Sequence, residues 1–201
     1  MISAGAALTA LRAGNHRFVN ELGPEASGIR RRLALPELQE PMAIILGCSD
    51  ARVPAEIVFD QGLGDLFVIR VAGNIVAPSQ IGSVEFAAEQ FGTRLVVVLG
   101  HSNCGAVQAT LEQLKRPREN QSRNLRSIVD LVRPAVEGLV ARGVGSDPQA
   151  LVNEAVRANI KASVDRLRHG SEIIEHLIQK DGLLVVGAEY SLATGMVEFL
   201  E

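Results

Sequence analysis

Two short apolar runs constrain the fold of this chain more than any other feature of its sequence. Residues 42–47 read Met-Ala-Ile-Ile-Leu-Gly, and residues 95–99 read Leu-Val-Val-Val-Leu. Both runs are too short for a helix and are bounded by proline or glycine, so each predicts a buried strand. Polar side chains follow both runs, at the position where open α/β sheets keep their functional sites.

Side chains that bind metals emerge at these two strand ends. Cys48 and Asp50 follow the first run, and alternation along an extended chain points them the same way, with Arg52 beside them if the extension persists. His101 and Cys104 follow the second run at a spacing that one turn of helix brings to a common point. Two thiolates, an imidazole and a carboxylate are ligands of the kind that zinc takes, so the sequence predicts a zinc site formed by these four residues.

Each half of this pattern also has a plainer explanation. A lone cysteine at a strand end is usually a small buried hydrophobe, and Asp-x-Arg is usually a surface ion pair. The conjunction favours a metal site, because the chain has only two cysteines and each stands near a second ligand type at a strand end. A redox pair is a third interpretation, but the two cysteines lack the C-x-x-C spacing of such pairs.

The rest of the chain alternates between helical and strand patterns. Strands are predicted at about Ala43–Leu46, Leu66–Val71, Leu95–Leu99, Leu183–Val186 and Met196–Leu200. Helices are predicted at about Ala6–Leu22, Pro54–Phe59, Ser79–Gln90 with Ser79 as N-cap, Cys104–Leu114, a segment opened by Asp147-Pro148, and Ser171–Gln179. Helical periodicity also runs from Asn120 onward, with expected breaks at Pro134, Gly143-Val144-Gly145 and Gly170. This alternation predicts one α/β domain over residues 1–201, with a mostly parallel central sheet of four strands, an antiparallel C-terminal edge strand and flanking helices.

Composition excludes several classes of protein. The formal net charge is -3 and the only basic cluster is Arg30-Arg31-Arg32, so we expect no nucleic-acid partner. No apolar run reaches the roughly 18 residues of a membrane-spanning helix, and Met1–Ala10 lacks the pattern of a signal peptide. We therefore expect no membrane partner and a cytoplasmic protein. Two cysteines that both bind metal leave none for a disulfide, which fits a reducing compartment.

The two motifs together resemble the signature of the β-class carbonic anhydrases. Cys48-x-Asp50-x-Arg52 followed by His101-x-x-Cys104 matches that signature in residue types and order. Residues 53–60, 64–74 and 82–87 also resemble the family in order and spacing. The resemblance extends from about Gly14 to Glu201 and is weakest between Arg116 and Arg142.

The resemblance implies an activity and an assembly. The activity is the zinc-dependent, reversible hydration of carbon dioxide to bicarbonate and a proton by a zinc-bound hydroxide. The assembly is a homodimer or a higher homo-oligomer, with a tetramer as one form. In the family an N-terminal helix packs across a neighbouring subunit, so residues 1–35 are expected to pack on a partner, although the sequence alone equally allows packing on their own sheet.

The resemblance also implies a substrate pocket. The plant-type branch of the family carries a Gln nine residues before the first Cys and a Phe nineteen residues after it, and Gln39 and Phe67 occupy these positions. In the family both side chains reach the zinc site from the neighbouring subunit; without the family they are a loop residue and a core residue. Phe86 stands where that branch carries a Tyr, so that hydroxyl is absent. Ala72 and Gly105, which lie within or beside the matching motifs, complete the implied pocket.

Arg52 points to a catalytic use of the metal. A guanidinium can form a bidentate pair with Asp50 and so compete with the metal for the carboxylate. Zinc would then keep three ligands and one position for water, whose pKa it lowers toward ~7. The family occurs in both states, and Ile45 stands where a branch that favours the closed state has a Trp, so we expect the open state near or above neutral pH and activity that rises with pH. The alternative is a purely structural zinc site in which Arg52 only supports Asp50.

Other functions stay open beside carbon dioxide hydration. The same zinc centre can hydrolyse a related small molecule such as carbon disulfide or carbonyl sulfide, or the protein can be a non-catalytic zinc- or bicarbonate-binding module. The other histidines, His16, His169 and His176, lie on predicted helices away from both motifs. We expect them on solvated faces, so proton release must run through water and buffer.

Overall fold

A computed structural model of the chain describes residues 2–21, 39–115, 122–142 and 147–200. The helices in these ranges are α1 (Ala4–Val19), α2 (Ala55–Val58), α3 (Pro78–Gln90), α4 (Gly105–Lys115), α5 (Arg123–Ala141), α6 (Pro148–His169) and α7 (Glu172–Lys180). The strands are β1 (Ala43–Gly47), β2 (Leu66–Arg70), β3 (Leu95–His101), β4 (Leu184–Tyr190) and β5 (Val197–Leu200). A single 3-10 turn spans Ala72–Asn74. Within the described ranges, no helix combines the length and the apolar character that crossing a bilayer requires.

The strands form one sheet in the order β2-β1-β3-β4-β5. The first four strands are parallel and β5 is antiparallel to β4, which confirms the predicted α/β fold. Every residue of β1 and β3 is buried. Their continuous apolar runs fit this position, because a central parallel strand has both of its faces covered.

The two faces of the sheet carry separate cores. Ile44 and Leu46 of β1 face a cluster built with α3, α4, α5, α6 and α7, whereas Ala43 and Ile45 face a cluster built with α1 and α2. The division follows from the alternation of side chains along a strand. The helix α1 therefore packs on the sheet of its own chain. Packing of residues 1–35 on a partner subunit stays a prediction, and residues 22–38 lie outside the described ranges.

Asn15 fixes α1 in place. Its Nδ2 donates hydrogen bonds to the carbonyl oxygens of Val58 at 3.0 Å and Gly195 at 2.9 Å, and its Oδ1 accepts one from the Val197 N–H at 2.9 Å. One buried amide thus joins α1 to α2 and to the hairpin between β4 and β5. The buried side chain is stabilising only because its polar atoms are all paired.

Two observed strands are longer than predicted, because each continues through a glycine at which the sequence predicted its end. The strand β3 continues through Gly100 to His101, and β4 continues through Gly187 to Tyr190. A Cβ at Gly100 would lie 2.5 Å from Ile160 Cγ1, and one at Gly187 would lie 2.8 Å from Ile160 Cγ2. These glycines therefore leave space for the Ile160 side chain of α6 where the helix crosses the sheet, and both strands continue past them.

Two further predictions about helices are wrong. The helix α5 runs through Pro134, where a break was expected. Burial of Val129, Val132 and Val136 along one face stabilises the helix despite the backbone hydrogen bond that proline removes.

The start of α3 also differs from the prediction, because Ser79 is not its N-cap. The N-cap is Ala77, and Pro78 occupies the first helical position, where a missing N–H leaves nothing unsatisfied. The Gln80 side chain accepts a hydrogen bond from the Ala77 N–H at 3.3 Å, which replaces the expected serine cap.

Candidate metal centre

The parallel pairing of β1 with β3 builds the site. Gly47 at the end of β1 pairs with Leu99, so Cys48 continues alongside the last residues of β3. His101 is the last residue of β3, and Cys104 directly precedes α4. Three potential ligands that are distant in sequence therefore meet at the carboxyl edge of the sheet, where such folds bind ligands.

The three side chains form a compact group of donors. The ligand atoms of Cys48, His101 and Cys104 all lie within 4.8 Å of one another, and each residue is at most 5% exposed. The two sulfur atoms are 4.0 Å apart, and neither cysteine is in a disulfide. Tetrahedral zinc with Zn–S bonds of about 2.3 Å holds two sulfurs about 3.8 Å apart, so the observed spacing fits.

The orientation of His101 also fits a metal. Its Nδ1 lies 2.9 Å from the carbonyl oxygen of Ser102, a contact that assigns the ring proton to Nδ1. Its Nε2 is buried and has no hydrogen-bond partner. A buried ring nitrogen with a free lone pair is costly unless a partner binds it, so this atom is available to bind a metal. The backbone N–H of Ser102 donates to Tyr190 at 2.9 Å, which anchors the turn that carries the ring.

The two thiols differ in acidity in the absence of a cation. The pKa of Cys48 is lowered to about 4, chiefly because Cys104 donates a hydrogen bond to its sulfur. Burial opposes this shift, and His101 and the Gly73 N–H add to it. The pKa of Cys104 is raised, because its proton is held by Cys48 and because burial disfavours a second thiolate. Burial is the largest single influence on His101 and lowers its pKa, but the Cys48 sulfur, the Ser102 backbone and the Asp50 charge together raise it above its ordinary value. The group thus holds negative charge and accommodates a cation.

Asp50 is paired with Arg52 beside these donors. Arg52 Nε donates to Asp50 Oδ1 at 2.9 Å, its Nη2 donates to Oδ2 at 2.8 Å, and its backbone N–H donates to Oδ1 at 3.0 Å. The guanidinium of Arg52 holds the pKa of this carboxyl well below its usual range. Asp50 Oδ2 also lies 3.8 Å from His101 Nε2. The carboxylate therefore borders the donor group while both of its oxygens are engaged by Arg52.

Arg70 is a site residue that the sequence analysis did not single out. At the end of β2, its Nε donates to the carbonyl oxygen of Cys48 at 3.1 Å, and its Nη2 donates to that of Asp50 at 2.5 Å. Arg70 thereby fixes the backbone that presents both side chains. Its position is a signal that the sequence contains. Arg70 ends the strand that pairs in parallel with β1, and polar residues at such strand ends are the ones expected at a functional site.

Two predicted pocket residues lie close to the donor group. Ala72 begins the 3-10 turn whose next residue, Gly73, donates its N–H to Cys48 Sγ at 3.4 Å. Gly105 follows Cys104 directly, at the exposed start of α4. Their role in substrate binding stays a prediction.

Gln39, Phe67 and Phe86 lie away from the donor group of their own chain. Gln39 precedes β1 and is exposed, whereas Cys48 follows the other end of that strand. Phe67 pairs with Ile44 in the amino half of β1, and its ring centroid lies 6.4 Å from that of Phe86. A single chain thus does not bring these residues to its own site, and their predicted contribution from a neighbouring subunit stays a prediction.

Comparison with known proteins places the chain among carbonic anhydrases. Residues 43–197 match the family model described as carbonic anhydrase. The chain is 42% identical over 195 residues to a carbonic anhydrase from Mycolicibacterium smegmatis, covering 96% of this chain and 91% of that protein. It is 38% identical over 191 residues to carbonic anhydrase 2 of Mycobacterium tuberculosis, covering 94% of this chain and 89% of that protein.

Solved structures with the same fold are β-carbonic anhydrases. The Coccomyxa enzyme in complex with acetazolamide superposes with a TM-score of 0.74 at 25% identity, covering 96% of this chain and 86% of that chain. A tetrameric enzyme from Sordaria macrospora superposes with a TM-score of 0.75 at 22% identity, covering 98% and 95%. These structures share the α/β fold described above.

The donor group predicts about one zinc ion per chain. Cys104→Ser should lose nearly all of this zinc and unfold at a lower temperature, because metal binding and folding are coupled. Elemental analysis and thermal denaturation measure the two effects, and Ser49→Ala, at an exposed neighbour of Cys48, serves as the control that keeps the metal. A folded Cys104→Ser protein that retained its zinc would contradict ligation by Cys104.

Proposed function

The chain belongs to the β-carbonic anhydrase family, and on this premise we propose that it catalyses the zinc-dependent, reversible hydration of carbon dioxide to bicarbonate and a proton. The observation that carries the proposal is the buried group of two sulfurs and one unpaired imidazole nitrogen beside the Asp50–Arg52 ion pair. Thiolate and imidazole donors favour zinc over harder cations. We also expect the protein to act in the cytoplasm, as predicted from the sequence.

Three protein ligands suit a catalytic centre better than a structural one. Cys48, His101 and Cys104 would hold the ion, and Asp50 would be kept from it because Arg52 engages both carboxylate oxygens. Structural zinc sites use four protein ligands, whereas catalytic sites keep one position open. A zinc ion bound in this way supplies Lewis acidity, which makes a water molecule nucleophilic at neutral pH.

The Asp50 carboxylate has a second task in this proposal. Its Oδ2 lies 3.8 Å from His101 Nε2, so it borders the three donors that would hold the ion. An ionised carboxylate there accepts a hydrogen bond from the attacking water and orients it toward the carbon of the substrate. His16, His169 and His176 are all exposed, as predicted, and the proton therefore leaves through water and buffer.

A stopped-flow assay with a pH indicator tests the activity. The zinc-loaded protein should hydrate carbon dioxide far faster than buffer, and Cys104→Ser should not exceed the buffer rate. Carbonyl sulfide is the second substrate in the same experiment. If the protein hydrolyses carbonyl sulfide but hydrates carbon dioxide no faster than buffer, the proposal is wrong and the protein is a hydrolase. If the zinc-loaded protein acts on neither substrate, it is a non-catalytic zinc protein.

Arg52→Ala tests the ion pair that keeps the metal position open. Without the guanidinium, Asp50 is free to turn to the metal as a fourth ligand, so the variant should keep its zinc and lose activity by roughly 100-fold or more at every pH. Arg133→Ala removes an arginine from another ion pair, the 3.6 Å contact with Asp130 on α5, and should leave activity unchanged. Near wild-type activity in zinc-loaded Arg52→Ala would contradict the role of the pair.

The pH dependence of the wild type gives an independent check on Asp50. Because the pKa of Asp50 lies below its usual range, the carboxylate stays charged as the pH falls into the mildly acidic range. We expect activity to rise with pH through the neutral range. Asp50 is already charged below that range, so its titration is not the cause of the rise.

A homo-oligomer completes the proposed substrate pocket. The strand β2 is at the edge of the sheet, with only its β1 side paired among the described residues. Next to this edge, the ring of Phe86 is 53% exposed and packs against Phe67 and Phe91. An open strand edge beside exposed aromatic surface is suited to burial against a second copy, which would bring Gln39 and Phe67 to a neighbouring metal centre.

Phe86→Asp tests this surface. A carboxylate in an apolar interface is costly, so the variant should shift toward the monomer and lose activity while each chain stays folded. Light scattering after size exclusion measures the mass, and Leu125→Asp on α5 is the control, because Leu125 is equally exposed at 57%. A fully active monomer of Phe86→Asp would contradict a pocket shared between subunits.

A further inference from the structure

The turn that follows β2 has an unusual backbone. Gly73 and Asn74 both adopt positive φ angles, 72° and 44°, and only the first is a glycine. A Cβ at Gly73 would lie 3.0 Å from the Cβ of Ala106 on α4, so the turn is also tightly enclosed. Two successive residues in the left-handed region are maintained only where surrounding structure holds them.

This turn donates a hydrogen bond to a metal ligand. The N–H of Gly73 points to Cys48 Sγ at 3.4 Å, a normal distance for a bond to sulfur. Asn74, the next residue, is only 1% exposed. The left-handed backbone of the turn therefore has a consequence at the site, since it aims one backbone donor at one sulfur.

The helix α6 holds the turn from behind. Asn159 Nδ2 donates to the Gly73 carbonyl oxygen at 2.8 Å, and Ser163 Oγ donates to the Asn74 carbonyl oxygen at 3.0 Å. Asn159 and Ser163 stand one helical turn apart and are 2% and 5% exposed. Polar side chains on the buried face of a helix are costly unless they are paired, and here each has its partner in the same turn.

The depth at which α6 sits is also fixed. Ile160, next to Asn159, fits against Gly100 of β3 and Gly187 of β4, where any Cβ would clash with it. Gly100 directly precedes the ligand His101 in β3. The packing that sets the height of the helix over the sheet thus also sets the position of the Asn159 amide relative to the metal centre.

We propose that Asn159 is a positioning residue of the metal centre, which holds the Gly73 N–H against Cys48 Sγ and so tunes the electron donation of that thiolate to the ion. The proposal rests on the proposed function, because it concerns the metal that this function requires. A hydrogen bond to a thiolate lowers the energy of the sulfur lone pairs and limits the charge that they donate to the metal. Asn159 touches neither the substrate nor the ion and acts through Gly73 alone.

Cobalt-substituted protein tests the proposal, because thiolate-to-cobalt charge transfer reports directly on the sulfur. Asn159→Leu removes the amide at similar volume and should move the near-ultraviolet charge-transfer band to longer wavelength. The zinc form of this variant should lose its metal to a chelator about tenfold faster or more, because the Gly73 N–H no longer holds the Cys48 sulfur in its ligating position. If Asn159→Leu does not fold, Asn159→Ser, whose hydroxyl is too short to replace the amide, is measured in its place.

Ser163→Ala is the matched control. It removes the neighbouring hydrogen bond to the same turn, so it should lower the melting temperature as Asn159→Leu does. Its charge-transfer band and its rate of zinc loss should stay as in the wild type. An unmoved band in the Asn159 variants, or an equal shift in Ser163→Ala, would overturn the assignment to Asn159. A wild-type protein without a thiolate-to-cobalt band would instead overturn the metal centre itself.

Discussion

The hydrogen-bonded pairing of β1 with β3 is the interaction on which the candidate site depends. The parallel register sets Gly47 opposite Leu99, so Cys48 follows the end of β1 within one residue of the level at which His101 ends β3. A shift of one residue would turn the side chains of β1 to the opposite face and separate the two ligands. Burial of both strands on both faces fixes the register, since a slip would mismatch the two cores.

The sequence contains enough local information to predict much of this arrangement. The apolar runs predicted β1 and β3, and the residue types at their ends predicted the group formed by Cys48, His101 and Cys104 and the pair of Asp50 with Arg52. The strand predictions succeed because strand burial follows from a few neighbouring residues, and the structure brings three of the four predicted ligands together. The proposed pocket residues Gln39 and Phe67 are different, because their surroundings in a second copy are outside any single chain.

What the sequence did not predict depends on contacts between distant segments. Gly100 and Gly187 look like strand ends until α6 is seen to cross there, and Pro134 looks like a break until the buried face of α5 is known. Asn159 appears as one polar residue among apolar neighbours on a helix, with no signal of its partner in a turn 86 residues earlier. Tertiary packing overrode local preference at each of these positions.

The three hydrogen bonds of Asn15 have a consequence for the order of events at the ribosome. The residue is joined to Gly195 and Val197, which are 180 and 182 positions later in the chain. When α1 leaves the ribosome, its buried amide can pair early with the Val58 carbonyl, 43 residues later, but its two partners in the C-terminal hairpin are translated only after β4. These two hydrogen bonds can therefore form only when nearly the whole chain has been translated, so the attachment of α1 to the hairpin is complete only at the end of synthesis.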